Sequence, residues 1–424
     1  MSVPTTNLYD YIYHNVKSQM IMRYFYPFGE KDLQNCISKN SIDIQDKDLS
    51  SLFCDNIFFQ KKLPDTFIDY VPLLICHDQE PLNFELYNAN NTASYVNWYN
   101  TGHKRRKGFT RYIENQNLRM VRPADYHKKI ILLHSEKNGE DIEKYLITEE
   151  YELAYCWTNA LLSLDWFRYA EYDPSLHPSS NIRKTFLTYS RTSSGLRSYR
   201  KIFKNLINEN QLTDFCQWTN FSDTSVTSES SASYSSKDIN QTMLSVVLET
   251  VYDQRIHLTE KTLRPIACGH PFMLVSGPGS LAYLQSYGFK TFHPYINESY
   301  DLENDNNKRM SLIVNEMKRI NNLSEEQKNI LTSKLLQISK YNKKLFFSKK
   351  FNKKILNEMN SNIQTAYKKV VYQLCWKRIW KQYKEYKKYR PNLLTNNNKK
   401  LMITLVRHLK KGGTLENYVP PELD

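Results

Sequence analysis

The sequence predicts an α/β protein built on parallel sheets, and three observations carry that prediction. Between Thr242 and Phe292 apolar runs alternate with helical patterns, the mark of βαβ units. A second alternating stretch starts at Lys184, where Thr185–Tyr189 reads as a strand and Gly195–Asn208 as a helix. The chain is 424 residues long, enough for two domains with their own cores. Sheets of this kind bind ligands outside the carboxyl ends of their strands, where helix N-termini meet anions.

In the N-terminal region, Phe67–Cys76 and Lys129–His134 read as buried strands. Ile113–Arg122 and Tyr151–Ala170 read as flanking structure, and Thr101–Lys107 as a basic loop. Asp173–Ser180, with two prolines and several turn formers, reads as an interdomain linker. On the helix Gly195–Asn208, Leu196, Tyr199, Ile202, Phe203 and Leu206 share one face. Asp214–Trp218 is the next strand, and the Ser/Thr-rich stretch Ser222–Lys237 a flexible loop. Met243–Leu248 and Pro271–Val275 are strands, a helix opens at Leu258-Thr-Glu-Lys-Thr, and Lys290–Phe292 begins a third strand. After Asp305 helices cover Lys308–Ile320, Ser324–Lys340 and Phe351–Lys388, the second with Ser324 and Gln327 spaced as a capping box. These patterns divide the chain into 1–178, 179–320 and a helical, basic extension over 321–424.

The net charge is +14, and its distribution is uneven. Ser361–Asp424 holds eleven Lys and three Arg against three Glu and one Asp, a net +10 that leaves +4 for the other 360 residues. That segment can approach nucleic acid, an anionic glycan or a membrane surface, or serve as a solvated amphipathic helix. No run approaches the ~20 apolar residues of a membrane helix, and MSVPTTNLYDYIYHN lacks the layout of a signal peptide. Seven scattered cysteines without Cys-x-x-Cys fit buried thiols in a reducing setting, and a cytoplasmic location is expected.

The candidate chemistry lies at strand ends. Thr259 can cap the helix after it, which puts Lys261 in the first turn, where the backbone favours an anion. A diphosphate would resolve that conflict, and Glu260 could accept from ribose hydroxyls; a plain surface Glu-Lys pair is the alternative. Arg191 follows the strand Thr185–Ser190 and leads into Thr-Ser-Ser-Gly, an anion cradle that includes Ser193, or else an ordinary turn. The strand ending at Cys76 runs into His77-Asp78-Gln79-Glu80-Pro81, which places Glu80 or Asp78 as a general base or in an exposed turn. His134-Ser135-Glu136 follows another strand and could line an acceptor cleft, and Ser135 lacks a nucleophile elbow. Gly277-Pro278-Gly279-Ser280 reads as a tight turn near the ligand. There is no Walker A motif, no Gly-x-Gly-x-x-Gly and no cluster with metal-ligand spacing, so no metal is expected. Tyr372, Trp376, Trp380 and Tyr383 form one helical stripe among Lys and Arg, suited to packing or to base stacking.

Thr185–Arg200, Leu258–Thr262 and RPIACGHPFMLVSGPGSLAYLQSYGFKTF resemble GT-B glycosyltransferases, in particular glycosyltransferase-like proteins of tailed phages and large viruses, and more distantly the α1,3-fucosyltransferases. The likeness covers about Lys184–Tyr300; the N-terminal half matches only through HDQEP and DWFRYA. It implies two Rossmann-like domains with a central cleft. It also implies a nucleoside-diphosphate sugar as donor substrate, a glycan or other hydroxyl acceptor and no cofactor. By the same likeness Glu260 binds ribose, Lys261 and Arg191 pair with the diphosphate, and Glu80, with Asp78 behind it, deprotonates the acceptor in an inverting, metal-independent transfer. The basic extension and the Ser-rich loop depart from fucosyltransferases. A viral origin, which the abundance of Asn, Lys, Ile and Tyr suits, would place it in the host cytoplasm. Two rivals remain: a DNA-base glycosyltransferase that holds DNA through Ser361–Asp424, and a non-catalytic protein that keeps the fold as a scaffold.

Overall fold

The computed structural model describes residues 21–25, 73–77, 81–82, 130–147, 151–190, 193–220, 233–389 and 396–411. Two four-stranded sheets organise them, both parallel in every pairing described. The first holds β1 (Ile21–Phe25), β2 (Leu73–His77), β3 (Ile130–His134) and β4 (Tyr151–Tyr155) in that order. Helix α1 (Glu140–Ile147) connects β3 to β4, and α2 (Thr158–Trp166) follows β4. Leu74, Ile131, Leu132 and Leu133 are fully buried, as continuous apolar runs in a parallel sheet must be.

The second sheet starts at β5 (Lys184–Ser190) and continues through α3 (Tyr199–Glu209), β6 (Cys216–Asn220), α4 (Ser236–Gln241) and β7 (Thr242–Leu248). Next come α5 (Glu260–Cys268), β8 (Phe272–Val275) and α6 (Ser280–Ser286). Its strand order is β6-β5-β7-β8, with Lys184 beside Thr242 and Ser245 beside Phe272. The chain leaves β5 for β6 on one side and returns to β7 on the other. That reversal opens a crevice between the carboxyl ends of β5 and β7, where doubly wound sheets take their ligands. Every residue of β7 is buried. In α5 Pro265 has no N–H to donate to Lys261, yet the helix persists to Gly269. There the N–H groups of Gly269 and His270 return to the carbonyls of Ile266 and Pro265. Gly269 meets the left-handed turn, φ 70°, that this closure requires.

Three local expectations need correction. Lys290–Phe292 is not a strand: the amide and carbonyl of Lys290 bond the Asn342 side chain, and the Phe292 amide bonds Glu298, so side chains take the place of a neighbouring ladder. Asp214 lies in a 3₁₀ turn over Thr213–Phe215, and the strand begins only at Cys216. The Ser-rich stretch ends in structure, because Ser235 caps α4 by accepting from the Asp238 amide at 3.2 Å; residues 221–232 lie outside the described residues. The expected strand Phe67–Cys76 is described as β2 alone, and Ile113–Arg122 and the basic loop Thr101–Lys107 are outside the described set. Asp173–Ser180 is strapped onto α4: the Tyr234 hydroxyl donates to Asp173, the Ser179 amide to the Ile239 carbonyl, and Asn240 bonds both Ser175 and His177.

After the second sheet come α7 (Asn306–Asn321), α8 (Glu325–Phe346), α9 (Lys349–Tyr389) and α10 (Asn396–Lys410). Ser324 and Gln327 form the expected reciprocal cap of α8. Helix α9 packs on both β3 and β4 and so returns to the first sheet. Asn362 donates to the Tyr155 carbonyl at 2.9 Å, and Lys369 meets Glu152 at 2.6 Å. At the junction Trp157 is fully buried, donates to the Leu258 carbonyl at 2.8 Å, and lies against Tyr283, Tyr287 and Phe351. Among the described residues no helix is long and apolar enough to cross a membrane.

Candidate functional site

The site grows from the carboxyl end of β7. Glu249, the next residue, is fully buried, and its carboxylate gathers five donors: the amides of Thr250, Thr259 and Thr262 and the hydroxyls of Thr259 and Thr262. The hydroxyl bonds are short, 2.7 and 2.6 Å, as charged acceptors make them. An internal anion therefore already stands at the N-terminus of α5. The carbonyls at the end of β7 are closed from the other side by α3, where the Arg200 guanidinium donates to Leu248 and Glu249 and the Tyr199 hydroxyl to Glu249.

Thr259 caps α5 as its sequence position predicts, although its hydroxyl lies a long 3.4 Å from the Lys261 amide because Glu249 also claims it. Lys261 folds back over this turn. Its ammonium lies 2.7 Å from Glu260, and 3.2 Å from each of the Thr250 and Thr259 hydroxyls. Glu260 is buried, which alone would raise its pKa. The charge and hydrogen bond of Lys261, then the charge of Arg264, outweigh burial and hold the carboxyl at about 2. The cation at the first turn thus has two carboxylates nearby, and the electrostatic conflict visible in the sequence is resolved within the fold. Lys261 keeps a quarter of its side-chain surface exposed, so it is the cation of this turn that an incoming anion can reach.

Arg264, one turn along, is buried against the rings of Tyr189 and Phe167, at 5.1 and 5.9 Å. Tyr189 belongs to β5 and Phe167 to the segment after the first sheet, so Arg264 spans the seam. A cavity of about 20 Å³ lies here, lined by Leu187, Tyr189, Ser245, Val247, Lys261 and Arg264. That holds about one water. Ser193 is half-buried in the turn after β5, three residues beyond the strand.

Glu80, Asp78 and Arg191 lie outside the described residues. What the first sheet does present is Glu136, just past β3. One carboxylate oxygen accepts from the Leu82 amide at 3.0 Å and lies 3.8 Å from Arg255; the other is buried without a hydrogen-bond partner. Burial raises its pKa to about 7, against the lowering influence of Arg255. Beside it Lys137 and Ile256 exchange backbone bonds of 3.0 and 2.9 Å. The segment before α5 is thereby tied to the end of β3.

The glycine turn before α6 is filled from within. The amides of Leu281 and Ala282 donate to Asp301, which occupies that helix start. Gly277 is required by proximity, since a Cβ there would fall 2.1 Å from the Arg255 carbonyl oxygen. His270 is structural as well, held between Ser245 and Thr242 and kept neutral by burial, its pKa lowered to about 4. No cluster of three or more His, Cys, Asp or Glu able to hold a metal occurs among the described residues.

Glu249, Arg264 and Arg200 were not singled out from sequence. Glu249 carries a faint signal, an acid set directly after a seven-residue buried strand; the other two look like surface cations on amphipathic helices. No protein-family model, curated protein or solved structure matches this chain.

Proposed function

We propose that the protein is a glycosyltransferase of GT-B type that moves a sugar from a nucleoside diphosphate to an acceptor hydroxyl without a metal. The reading is carried by one observation: Lys261 stands part-exposed at the switch point of a parallel sheet, on a first turn made rigid by Glu249. In this reading the donor diphosphate draws Lys261 away from Glu260 and also pairs with Arg191, the residue that follows β5 in sequence. The Glu260 carboxylate released by that exchange turns to the ribose hydroxyls. Thr259 and Ser193 complete the polar surface. As the leaving diphosphate gains charge, fixed cations stabilise it. Glu80, with Asp78 behind it, removes the acceptor proton from the side of the first sheet. The two parallel sheets and the return of α9 onto β3 and β4 support a two-domain arrangement with the cleft between sheets.

The test is a thermal-shift screen of the intact chain against GDP, UDP, CMP and dTDP sugars. A donor that binds only the folded state raises the midpoint. One class of nucleotide should do so in the wild type and fail in Lys261→Ala. Absence of a shift with every donor, or an equal shift in the variant, overturns the assignment.

A further inference from the structure

The end of the chain carries a surface that sugar transfer leaves unexplained. Helices α9 and α10 pack on each other as a helical pair. Tyr383 and Val406 are buried in that pair, at 6 and 7 % exposure, and Trp380 stacks on Tyr383 with centroids 5.1 Å apart. The aromatic stripe of α9 is thus used at least in part to join the helices. The sequence of this stretch is cationic. Between residues 376 and 411 twelve Lys and Arg stand against one acid, Glu385. Lys384, Lys387, Lys388, Lys399, Arg407 and Lys411 are exposed on both members of the pair.

Helices α7 and α8 carry charge pairs of mixed sign. Arg319 pairs with Glu316 on α7 and Lys328 with Glu325 on α8, the mixed-sign pattern of an ordinary solvated face. Residues 376–411 have one carboxylate of their own with which to do the same. Like charges this dense repel one another, and a polyanion laid over the exposed ones relieves that repulsion.

We infer that the α9–α10 pair is a binding surface for the phosphate backbone of a double-stranded nucleic acid. Helix α10, 15 residues long, spans about 22 Å, and a duplex presents about one phosphate per 1.7 Å, so roughly 13 phosphates lie within its length. The partner's charge therefore exceeds that of the surface. A membrane fits less well. Interfacial helices need a broad apolar face beside their cations, whereas Tyr389 is the one exposed large apolar residue of the pair among the described residues. Recognition by phosphate contacts alone is indifferent to base sequence. The inference does not depend on the donor assignment, because no residue of the pair belongs to the β5–β7 crevice.

The experiment is fluorescence anisotropy of the full chain with labelled 25-base-pair DNA and RNA duplexes of scrambled sequence, over salt from about 50 to 300 mM. The comparison protein carries Lys384→Gln, Lys387→Gln, Lys399→Gln and Arg407→Gln together. These exposed changes should leave helical circular dichroism and the melting midpoint unaltered. The wild type should bind with an affinity that falls steeply and linearly in log salt. Four lost contacts should reduce the steepness by about 3 to 4 and weaken binding at low salt at least ~10-fold. The DNA and RNA arms identify which duplex is preferred. The inference is overturned by no binding at about 50 mM salt, by a slope unchanged in the variant, or by co-sedimentation with phosphatidylserine vesicles in the absence of duplex binding. The donor thermal-shift screen, run on the same variant, is expected to match wild type, so the two assignments fail separately.

Discussion

The Glu260–Lys261 pair can be tested through stability alone. A carboxyl held at about 2 in the fold, against 4.5 for the free group, is ionised natively with a preference of roughly 3 kcal/mol at pH 7. The folded pKa is depressed, so this contribution is present above the unfolded value and is lost as pH falls from about 4.5 toward 2. By pH 3 less than half of it should remain. Lys261 is the largest influence opposing burial at Glu260, followed by Arg264 and a backbone hydrogen bond, so the Lys261 and Glu260 side chains should be energetically coupled. The perturbation is a double-mutant cycle of Lys261→Ala and Glu260→Gln. Urea denaturation should show Lys261→Ala destabilising by about 2–3 kcal/mol at pH 7, because it leaves a buried carboxylate less compensated. Adding Glu260→Gln should restore most of that loss. The coupling should shrink as pH is lowered to 3. Single variants that add without coupling, or a coupling that grows in acid, refute the electrostatic account. A screen that reads loss of activity in Lys261→Ala must be corrected for this lost stability.

Glu136 should act in the opposite sense: burial raises its pKa to about 7, so stability falls as pH rises from about 4.5 through 7. Thermal melts should show Glu136→Gln gaining on the wild type by roughly 2 kcal/mol between pH 5 and pH 8, and a constant gap would contradict this. Gly277→Ala should destabilise by roughly 2–3 kcal/mol in chemical denaturation, because the new methyl meets two backbone carbonyls, of Asp253 and Arg255, that cannot swing aside. Trp157→Ala should cost about 3–5 kcal/mol, since it opens a void among Tyr283, Tyr287 and Phe351 and orphans the Leu258 carbonyl.

Much of the second sheet is legible from residue pattern alone. Met243–Leu248 and Phe272–Val275 are short apolar runs between turn formers, and a parallel strand buried on both faces has no other way to appear. The caps Thr259, Ser324 and Asp305 are local, and each hydroxyl or carboxylate finds an amide two or three residues on. What the pattern conceals is long-range polar chemistry. Lys261 looked like a cation awaiting an anion because Glu249, twelve positions earlier, carries no mark that its carboxylate will turn toward α5. Lys290–Phe292 has the composition of a strand, and only the arrival of Asn342 from α8 removes its place in a sheet. In the first half, Glu136 follows a recognisable strand, but its partners Leu82 and Arg255 are brought by chain segments far away in sequence.

The return of α9 has a consequence for how the chain is made. Tyr155 and Glu152 at the edge of the first sheet bond Asn362 and Lys369, about two hundred residues later in the chain. At ~5–20 residues per second, the ribosome needs about 10–40 s to supply them. During that interval β3 and β4 lack the helix that covers them, and the carbonyl of Tyr155 has only water to meet it. The first half is therefore the earlier to be synthesised and the later to be completed. A chain cut before α9 should emerge with an apolar sheet face open to association with other copies.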